Sequence, residues 1–441
     1  MNECCIVPKE CKLNVYEATQ KRLKIIFDYF DYVYVSFSGG KDSGVLLNLC
    51  IEYIRKHAPG RKLGVFHMDY EIQYRQTTEY VERTFAKNRD ILEVFHCCVP
   101  FKVATCTSMF QQHWRPWEQA HRELWVREMP QHCLRQDDFD FFRKELWDYE
   151  FQNLFIGWLH KRTKSKRICC LVGIRTQESY NRWRAIHSIK NYRRLANHKW
   201  TRSISQYEYN AYPLYDWKTS DIWVANGRLG WDYNRLYDLY YQAGIPLSRQ
   251  RVASPFISEA ISTLAIYKAI DPDAWAKMIG RVNGVGCAGI YGNTSAMGQR
   301  KISCPPGFSW KEYMEFLLKT LPEKTRQNYM KKLRVSIKFW REKGGCLSEE
   351  TIKKLKKANV PIIEENIYSL RSTKRSVRME YLDDIDIPEF REIPTYKRMC
   401  ICIMKNDHVC KYMGFSQTKR EKQMRENAMK KYKSYWDGKR I

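Results

Sequence analysis

The fold of this chain is decided by the stretch Tyr32-Val33-Tyr34-Val35-Ser36-Phe37-Ser38-Gly39-Gly40-Lys41-Asp42-Ser43. Its first half is an apolar run that predicts a strand, and the patterned segment 45–54 behind it predicts a helix. Between the two, Gly39 and Gly40 permit a tight turn that aims backbone N–H groups and a helix N-terminus at one point. The order strand, glycine turn, helix therefore predicts an anion-binding loop.

The side chains of this loop suit a phosphate ligand. Ser38 and Ser43 offer hydroxyl groups, and Lys41 adds a positive charge. Asp42 would repel phosphate directly, so we expect it to hold Mg²⁺ or to cap the helix. The spacing is not the G-x-x-x-x-G-K-[ST] pattern of common nucleoside triphosphate loops. The structural alternative is a glycine turn that only joins the strand to the helix.

The bulk properties indicate a multidomain protein with a real core. The chain has 441 residues, of which 44% are hydrophobic, and this length exceeds the usual size of one domain. It contains no apolar run near the roughly 20 residues that span a bilayer, and its start has no signal-peptide pattern. We therefore expect a cytoplasmic protein without membrane contact, whose 16 cysteines are reduced, metal-bound or catalytic.

The chain is strongly basic, with a net charge of +27. Residues 301–441 hold 33 Lys and Arg against 18 Asp and Glu, a surplus of 15 positive charges. The densest part is 161–202, where 13 basic residues face one acid, Glu178, among interleaved aromatic residues. This pattern suits DNA or RNA, a nucleic-acid-binding partner or a polyphosphate pocket, and a solvated surface is the simpler alternative.

The segments around the loop predict a parallel, doubly wound α/β sheet. A helix is expected over 14–30, strands over 63–68 and 91–96, and a helix over 76–89 between those strands. The second strand stops at Asp69. Because ligands bind at the carboxyl ends of such strands, Asp69 is a second candidate for Mg²⁺.

A Trp- and Gln-rich insertion without an evident strand is expected over about 101–167. A further strand, 168–172, then leads into Gly173, Arg175, Glu178 and Arg182. Arginines just past a strand end are suited to grip phosphate or sulfate through paired hydrogen bonds. A surface loop with ion pairs is the alternative.

Four motifs in order carry a family resemblance. They are the loop S-G-G-x-D-S from Ser38, the strand ending in Asp69, G-I-R-x-x-E-S from Gly173, and P-L-x-x-W-x-x-x-D-I-W from Pro213. Over roughly 20–256 the chain resembles the phosphoadenosine phosphosulfate (PAPS) reductase family of the PP-loop ATP pyrophosphatase superfamily. The resemblance implies an adenine nucleotide alpha hydrolase-like fold that binds ATP or a related adenine nucleotide with Mg²⁺.

The resemblance also implies roles for individual residues. Catalytic roles fall to Lys41, Asp42, Asp69 and Arg175. The nucleotide-binding positions are Ser38, Gly39, Gly40, Lys41, Asp42, Ser43, Asp69, Gly173, Arg175, Glu178 and Arg182.

The chain departs from the family where reductase chemistry takes place. The nucleophilic cysteine motif E-C-G-[IL]-H is missing, and the nearest similarity is Gly286-Cys287-Ala288-Gly289. The segments 284–292 and 397–415 instead resemble the C-terminal extension of the immunoglobulin-binding regulator A-like branch, which is phage- and island-associated. That likeness implies a ParB/sulfiredoxin-fold protein as a partner.

Two cysteine groups invite a metal hypothesis. Three thiols and an imidazole within eleven residues, Cys400, Cys402, His408 and Cys410, are a candidate Zn²⁺ site, and the alternative is a half-buried core strand. An iron–sulfur cluster on Cys97, Cys98, Cys106 and Cys133 is the less favoured hypothesis.

The predicted organisation is an N-terminal helix over 1–30, a nucleotide-binding domain over 31–256, and a basic, mostly helical domain over 257–441 with helices such as 325–341 and 417–433. The first functional hypothesis is an enzyme that adenylates an acceptor with ATP. The second is a nucleotide-sensing regulator without turnover, and the third is a PAPS reductase.

Overall fold

The computed structural model describes residues 13–178, 182, 186, 194–247, 250–257, 260–292, 302–364, 374–387 and 392–413. The predicted helix over 417–433 lies outside these residues. The chain divides into two compact units, the first made of 1–103, 113–255 and 266–281, and the second of 104–112, 256–265 and 282–441. Within the described residues, no helix is both long enough and apolar enough to cross a bilayer.

A six-stranded sheet forms the centre of the first unit. Its strands, in chain order, are β1 (Tyr32–Ser36), β2 (Leu63–Met68), β3 (Leu92–Cys97), β6 (Ile168–Val172), β7 (Thr201–Ser203) and β8 (Glu208–Ala211). The spatial order is β3-β2-β1-β6-β8-β7. Strands β3, β2, β1, β6 and β8 run parallel to one another. Strand β7, at the edge of the sheet, is antiparallel to its neighbour β8. The predicted mostly parallel sheet is thereby confirmed.

Helices cover the sheet and bury its apolar side chains. Those of the first unit are α1 (Val15–Tyr29), α2 (Lys41–His57), α3 (Arg75–Lys87), α4 (Asp148–Thr163), α5 (Thr219–Leu229), α6 (Leu236–Gln242), α7 (Ile266–Ile270) and α8 (Pro272–Arg281). Helix α1 begins at a capping box, in which Asn14 and Glu17 exchange hydrogen bonds. Helix α2 buries Leu46, Leu49 and Ile54 in the core shared with β1 and β2. Burial on this scale, at about 25 cal/mol per Å² of apolar surface, is what holds the sheet and helices together.

The part of the predicted insertion 101–167 that lacks regular structure is shorter than expected. Helix α4 occupies its last third and is the crossover helix into β6, with Phe155 stacked 4.0 Å from Phe66. The preceding part also contains two short strands, β4 (Val103–Ala104) and β5 (His113–Trp114). The expectation of no strand was therefore wrong, because two-residue strands leave no periodicity in a sequence.

The second unit combines helices with a small sheet. Its helices are α9 (Val285–Tyr291), α10 (Trp310–Thr320), α11 (Glu323–Glu342), α12 (Glu349–Lys357) and α13 (Tyr396–Met404). Strands β9 (Gly345–Ser348), β10 (Ile362–Glu364) and β11 (Lys374–Met379) form an antiparallel sheet in the order β10-β11-β9. The predicted helical C-terminal region is confirmed, and the sheet is an addition to it. The predicted boundary at 256 differs from the observed division, in which α7 and α8 belong to the first unit.

Candidate nucleotide-binding site

The glycine loop is closed by its own serine hydroxyl groups. The backbone N–H of Ser38 donates to Ser43 Oγ at 3.2 Å, and the two hydroxyl oxygens lie 3.0 Å apart. Ser43 Oγ donates to the carbonyl of Gly40 at 3.1 Å, while the N–H of Gly40 donates to Ser38 Oγ at 3.3 Å. The serines therefore shape the loop, and the candidate donors to a ligand are the backbone N–H groups of the first turn of α2 that follow Lys41.

Two glycines are required by the geometry of the loop. Gly39 has a φ of +73°, in the left-handed region that favours glycine. A Cβ at Gly173 would lie 3.1 Å from the backbone C and O of Asp42 and from the N of Ser43. The end of β6 therefore packs directly on the first turn of α2, which brings the segment that begins at Gly173 to the loop.

Two residues from a distant part of the chain hold the loop in place. Asn234, which is fully buried, donates through Nδ2 to the carbonyl of Gly39 at 2.9 Å and to Thr77 Oγ1 at 2.8 Å. The hydroxyl group of Tyr237 accepts a hydrogen bond from the N–H of Lys41 at 3.0 Å. Gly40, at the start of α2, makes no side-chain cap, so Tyr237 is the side chain that takes up the N–H of the first residue of this helix.

Lys41, Asp42 and Arg175 form an ion-paired group beside the loop. Arg175 Nε donates to Asp42 Oδ1 at 2.5 Å, and Lys41 Nζ lies 3.1 Å from Asp42 Oδ2. The side chain of Arg175 is only 2% exposed. Burial lowers the pKa of Lys41, a change that Asp42 opposes and that Arg175 and Arg251 reinforce. The predicted loop and arginine motifs are thus brought together in one place.

Two further arginines extend the positive field. Arg182 pairs with Glu178, whose carboxylate also accepts from the backbone N–H of Arg175 at 3.3 Å. Burial, followed by the charge of Arg251, lowers the pKa of Arg182. Four cationic side chains, Lys41, Arg175, Arg182 and Arg251, thus act on one another beside two carboxylates, Asp42 and Glu178. The surplus of two positive charges favours a polyanionic ligand.

The fit of Mg²⁺ rests on Asp42. Both of its carboxylate oxygens face cations, and among the described residues it belongs to no group of three potential metal ligands. Mg²⁺ is commonly bound by one carboxylate together with phosphate oxygens and water. The residues therefore fit an ion that arrives with a nucleotide, not one held by a protein cage.

Asp69 lies in a separate buried network at the end of β2. Its Oδ2 accepts from His96 Nε2 at 2.7 Å, its two oxygens each lie 2.5 Å from an Arg127 nitrogen, and its Oδ1 accepts from the N–H of Glu71 at 2.9 Å. Burial alone would raise the pKa of Asp69, but the charge of Arg127 and the hydrogen bond from His96 outweigh it and hold the pKa well below its usual value. This geometry does not favour Asp69 as a Mg²⁺ ligand, because a guanidinium group already neutralises it.

The same network contains the one group of potential metal ligands within the described residues, His67, Asp69 and His96. His67 Nδ1 donates to the carbonyl of Phe37 at 2.8 Å. Burial, together with His96, lowers the pKa of His67 to about 4, so this imidazole is neutral near pH 7. The position that a metal ion would take beside Asp69 is taken by Arg127, and the group is best described as a buried ion-pair network.

The candidate zinc site is not assembled. Cys400 and Cys402 lie on helix α13, not on a strand, so the two side chains point in directions about 160° apart around the helix axis. The thiol of Cys400 donates to the carbonyl of Trp310 at 3.5 Å, and His408 Nε2 donates to the carbonyl of Ser108 at 3.1 Å. Cys402 is hydrogen-bonded to Cys410. The alternative to a zinc site, a core strand, correctly predicted that these cysteines are buried. It was wrong about the strand, because alternating cysteine and isoleucine also suits a mostly buried helix.

Sequence patterns did not single out four residues that shape these sites. The pattern over 234–243 predicts only a helix, which would begin at Asn234 and include Tyr237. Arg251 and Arg127 lie in segments without a recognisable motif. An asparagine just before a helix is a familiar capping signal, but nothing in the local spacing indicates that its amide reaches Gly39.

Comparisons with known proteins agree with this architecture. Residues 32–244 match the model of the phosphoadenosine phosphosulfate reductase domain, and residues 244–424 match a domain of unknown function, DUF3440. Among solved structures, the chain is similar to PAPS reductase from Candida auris, with 15% identity, a TM-score of 0.29, and coverage of 55% of this chain and 89% of that one. It is also similar to the U34-tRNA thiolase NcsA from Methanococcus maripaludis, solved with its [4Fe-4S] cluster, with 13% identity, a TM-score of 0.30, and coverage of 63% and 81%. At such scores these structures carry no argument about function.

A further similarity extends over almost the whole chain. The chain is 33% identical over 420 residues to the uncharacterized protein YbdN of Escherichia coli, and the match covers 94% of each protein. A match of this extent includes the loop, the arginine segment and both compact units. The chain therefore belongs to the family of YbdN, with a PAPS reductase domain of the PP-loop fold followed by a domain of unknown function.

Proposed function

We propose that the loop and its arginines bind ATP or a related adenine nucleotide and cleave it between the α- and β-phosphates, passing the adenylyl group to an acceptor. The observation that carries this proposal is the surplus of two positive charges around a glycine loop at the N-terminus of α2. Backbone N–H groups at such a terminus suit the pyrophosphate that leaves. The acceptor is a nucleophile that the loop itself does not identify.

Each loop residue has a role in this scheme. Lys41 and Arg175, both nearly fully buried, offset the negative charge that develops on the α-phosphate. Asp42 is the residue that would hold a Mg²⁺ ion arriving with the nucleotide, and the ion would screen the phosphate oxygens. Glu178 and Arg182 hold the arginine segment in position, and Asp69 positions the end of β2 through Arg127 and His96.

A nucleotide sensor without turnover is the second candidate. It is favoured by the Arg175–Asp42 ion pair, which occupies the only loop carboxylate suited to Mg²⁺. Binding that never separates this pair would hold a nucleotide without cleaving it. PAPS reduction is third: it is supported by the domain match over 32–244, and opposed by the missing cysteine motif.

The partner remains part of the proposal. The resemblance of the tail to the immunoglobulin-binding regulator A-like branch supports a ParB/sulfiredoxin-fold protein, and the surplus of basic residues supports DNA or RNA. We place the protein in the cytoplasm in this proposal, because ATP and these partners occur together there.

The deciding experiment offers α-labelled ATP and Mg²⁺ to the full chain, with and without the protein encoded next to it. We expect AMP or an adenylylated acceptor, with pyrophosphate. Arg175→Ala should lower the rate or the affinity at least tenfold, because it removes a buried cation and leaves Asp42 without its strongest partner. The matched control is Arg228→Ala, an exposed arginine at the other end of α5, about 14 Å along that helix from Thr219, which contacts Arg175.

The possible results separate the candidates. ADP as the sole product excludes cleavage between the α- and β-phosphates. Tight binding of ATP without product, also in the presence of the neighbouring protein, selects the sensor. Release of sulfite from PAPS with thioredoxin selects the reductase. Equal ATP affinity in wild type and Arg175→Ala rejects the site itself.

A further inference from the structure

A pair of thiols lies where β3 ends, outside the nucleotide loop. The N–H of Leu134 donates to the carbonyl of His96 at 2.7 Å, and the N–H of Cys98 donates to the carbonyl of Leu134 at 2.9 Å. These two bonds dock the segment that contains Cys133 alongside the end of the strand. The thiols of Cys98 and Cys133 are hydrogen-bonded to each other.

The two thiols differ in their surroundings. Cys98 is 1% exposed and packs with Trp117 and Trp125, whereas Cys133 is partly exposed at the edge of that cluster. Arg135 is hydrogen-bonded to the sulfur of Cys133. This is the arrangement of an attacking thiol that solvent can reach and a resolving thiol that it cannot.

We propose that Cys98 and Cys133 are a redox-active pair that forms a reversible disulfide by exchange with a small disulfide, with Cys133 as the attacking thiol. The hydrogen bond from Cys98 lowers the pKa of Cys133, burial opposes this change, and the hydrogen bond from Arg135 reinforces it, so the pair favours the thiolate at Cys133. Burial raises the pKa of Cys98, which therefore keeps its proton until the second step.

The exchange balances in two steps. The Cys133 thiolate attacks the small disulfide, forms a mixed disulfide and releases one thiolate. Cys98 then attacks the Cys133 sulfur, and its proton passes to the second small thiolate as that group leaves. The thiolate released first takes up from water the proton that Cys133 lost when it ionised. Two electrons have moved from the protein to the small disulfide, and two small thiols are the products.

A cleft lies next to the apolar cluster around Cys98. It has a volume of about 750 Å³ and is lined by residues that include Trp125 and Arg127. Trp125 belongs to the apolar cluster around Cys98, and Arg127 acts electrostatically on the same thiol. Because β3 and β1 are two strand spacings apart and parallel, the pair lies about 10 Å from the nucleotide loop along the same edge of the sheet.

The test treats the reduced full chain with oxidised glutathione and maps its disulfides by mass spectrometry. We expect a Cys98–Cys133 link that dithiothreitol reverses. Cys98→Ser should trap glutathione on Cys133, and Cys133→Ser should form neither product. Cys106→Ser, a change at a cysteine of similar exposure, should behave as wild type.

A measurement without variants covers the case in which a substitution prevents folding. At pH 7, iodoacetamide should modify Cys133 of wild type before the more exposed Cys287 and Cys346. Faster modification of either of those two overturns the assignment. So does the absence of a disulfide in the folded, glutathione-treated protein, a link from Cys133 to Cys97, or a purified protein in which these thiols hold an iron–sulfur cluster.

Discussion

Gly173 lies where a side chain would make tight contacts with the backbone. Its hypothetical Cβ would meet three backbone atoms of Asp42 and Ser43 at 3.1 Å, and backbone cannot move aside as the end of a flexible side chain can. Gly227 is the opposite case, since a Cβ there meets nothing within 4 Å on an exposed turn of α5. The same residue type thus has a tertiary role at one position and only a local cost at the other.

We expect alanine to affect stability differently at these two glycines. Gly173→Ala should destabilise the first unit by about 1 to 3 kcal/mol, because it forces β6 and α2 apart, and should weaken ATP binding with it. Gly227→Ala should be neutral or stabilise by up to about 1 kcal/mol, because alanine is the better helix former. Thermal unfolding and ATP calorimetry on both variants measure the difference. Equal midpoints for the two variants would contradict the close approach of strand and helix.

At the scale of elements, one amide joins three of them. Asn234 stands just before α6, donates to Thr77 on α3 and to the loop carbonyl of Gly39, and accepts from the N–H of Leu236 at 2.9 Å. A buried amide with each of these groups satisfied is more stabilising than the same bonds in water. The loop is therefore shaped by helices that lie far from it in the sequence.

We expect Asn234→Ala to destabilise the first unit by about 1 to 3 kcal/mol for each buried group left without a partner. Asn234→Asp is the sharper test, since it keeps the acceptor for Leu236 and turns the donor toward Gly39 into a repelling oxygen. Asn234→Asp should lower the free energy of unfolding at least as much as Asn234→Ala does, and it should weaken ATP binding. Should Asn234→Asp retain the wild-type midpoint and affinity, the amide is not what holds the loop.

At the scale of the whole molecule, the net charge of +27 needs an account beyond the nucleotide site. Helix α11 presents three exposed cations, Lys331, Arg334 and Lys338, at spacings of three and four residues. Such spacing places them on one face of a helix. Val335 and Phe339 are also exposed on this helix, at 52% and 40%, so the face combines positive charge with apolar contact area.

If this face holds nucleic acid, each lost phosphate contact lowers the salt dependence of binding. The triple variant Lys331→Gln, Arg334→Gln, Lys338→Gln should reduce the slope of log K against log salt by about 2 to 3, since each contact contributes about 0.9. The control removes three exposed lysines of the first unit, Lys21, Lys24 and Lys56, with the same loss of charge. Equal slopes for the two triple variants would assign the effect to overall charge and not to α11.

The full chain is the right material for this measurement. A truncation after Phe256 would remove α8, whose Arg281 donates to the carbonyl of Arg115 at 2.7 Å and lies 3.5 Å from the buried carboxylate of Glu71. Both contacts lie inside the first unit, so the shorter chain would lose part of the domain it was meant to isolate.

Local sequence patterns were enough to predict the strand, loop and helix at 32–54 and a mostly parallel sheet, because hydrophobic periodicity and glycine turns act over a few neighbouring residues. They also identified Lys41, Asp42, Arg175, Glu178 and Arg182 as members of one site, since motifs at successive strand ends of a parallel sheet meet at one edge. The presence of α1, with its cap at Asn14, followed from the same local signals.

Only the tertiary structure decided what surrounds those residues. Asn234, Tyr237 and Arg251 reach the loop across about 200 residues of sequence, and Arg127 takes the place beside Asp69 where a metal ion was expected. Cys400 and Cys402 lie on a helix in which Met399, Cys400, Cys402 and Ile403 are all buried, so the alternation of cysteine and isoleucine did not distinguish this segment from a strand. In each case the contact depends on packing between segments that are distant in the sequence. Such packing does not produce a periodic pattern in the local sequence, so it could not be predicted there.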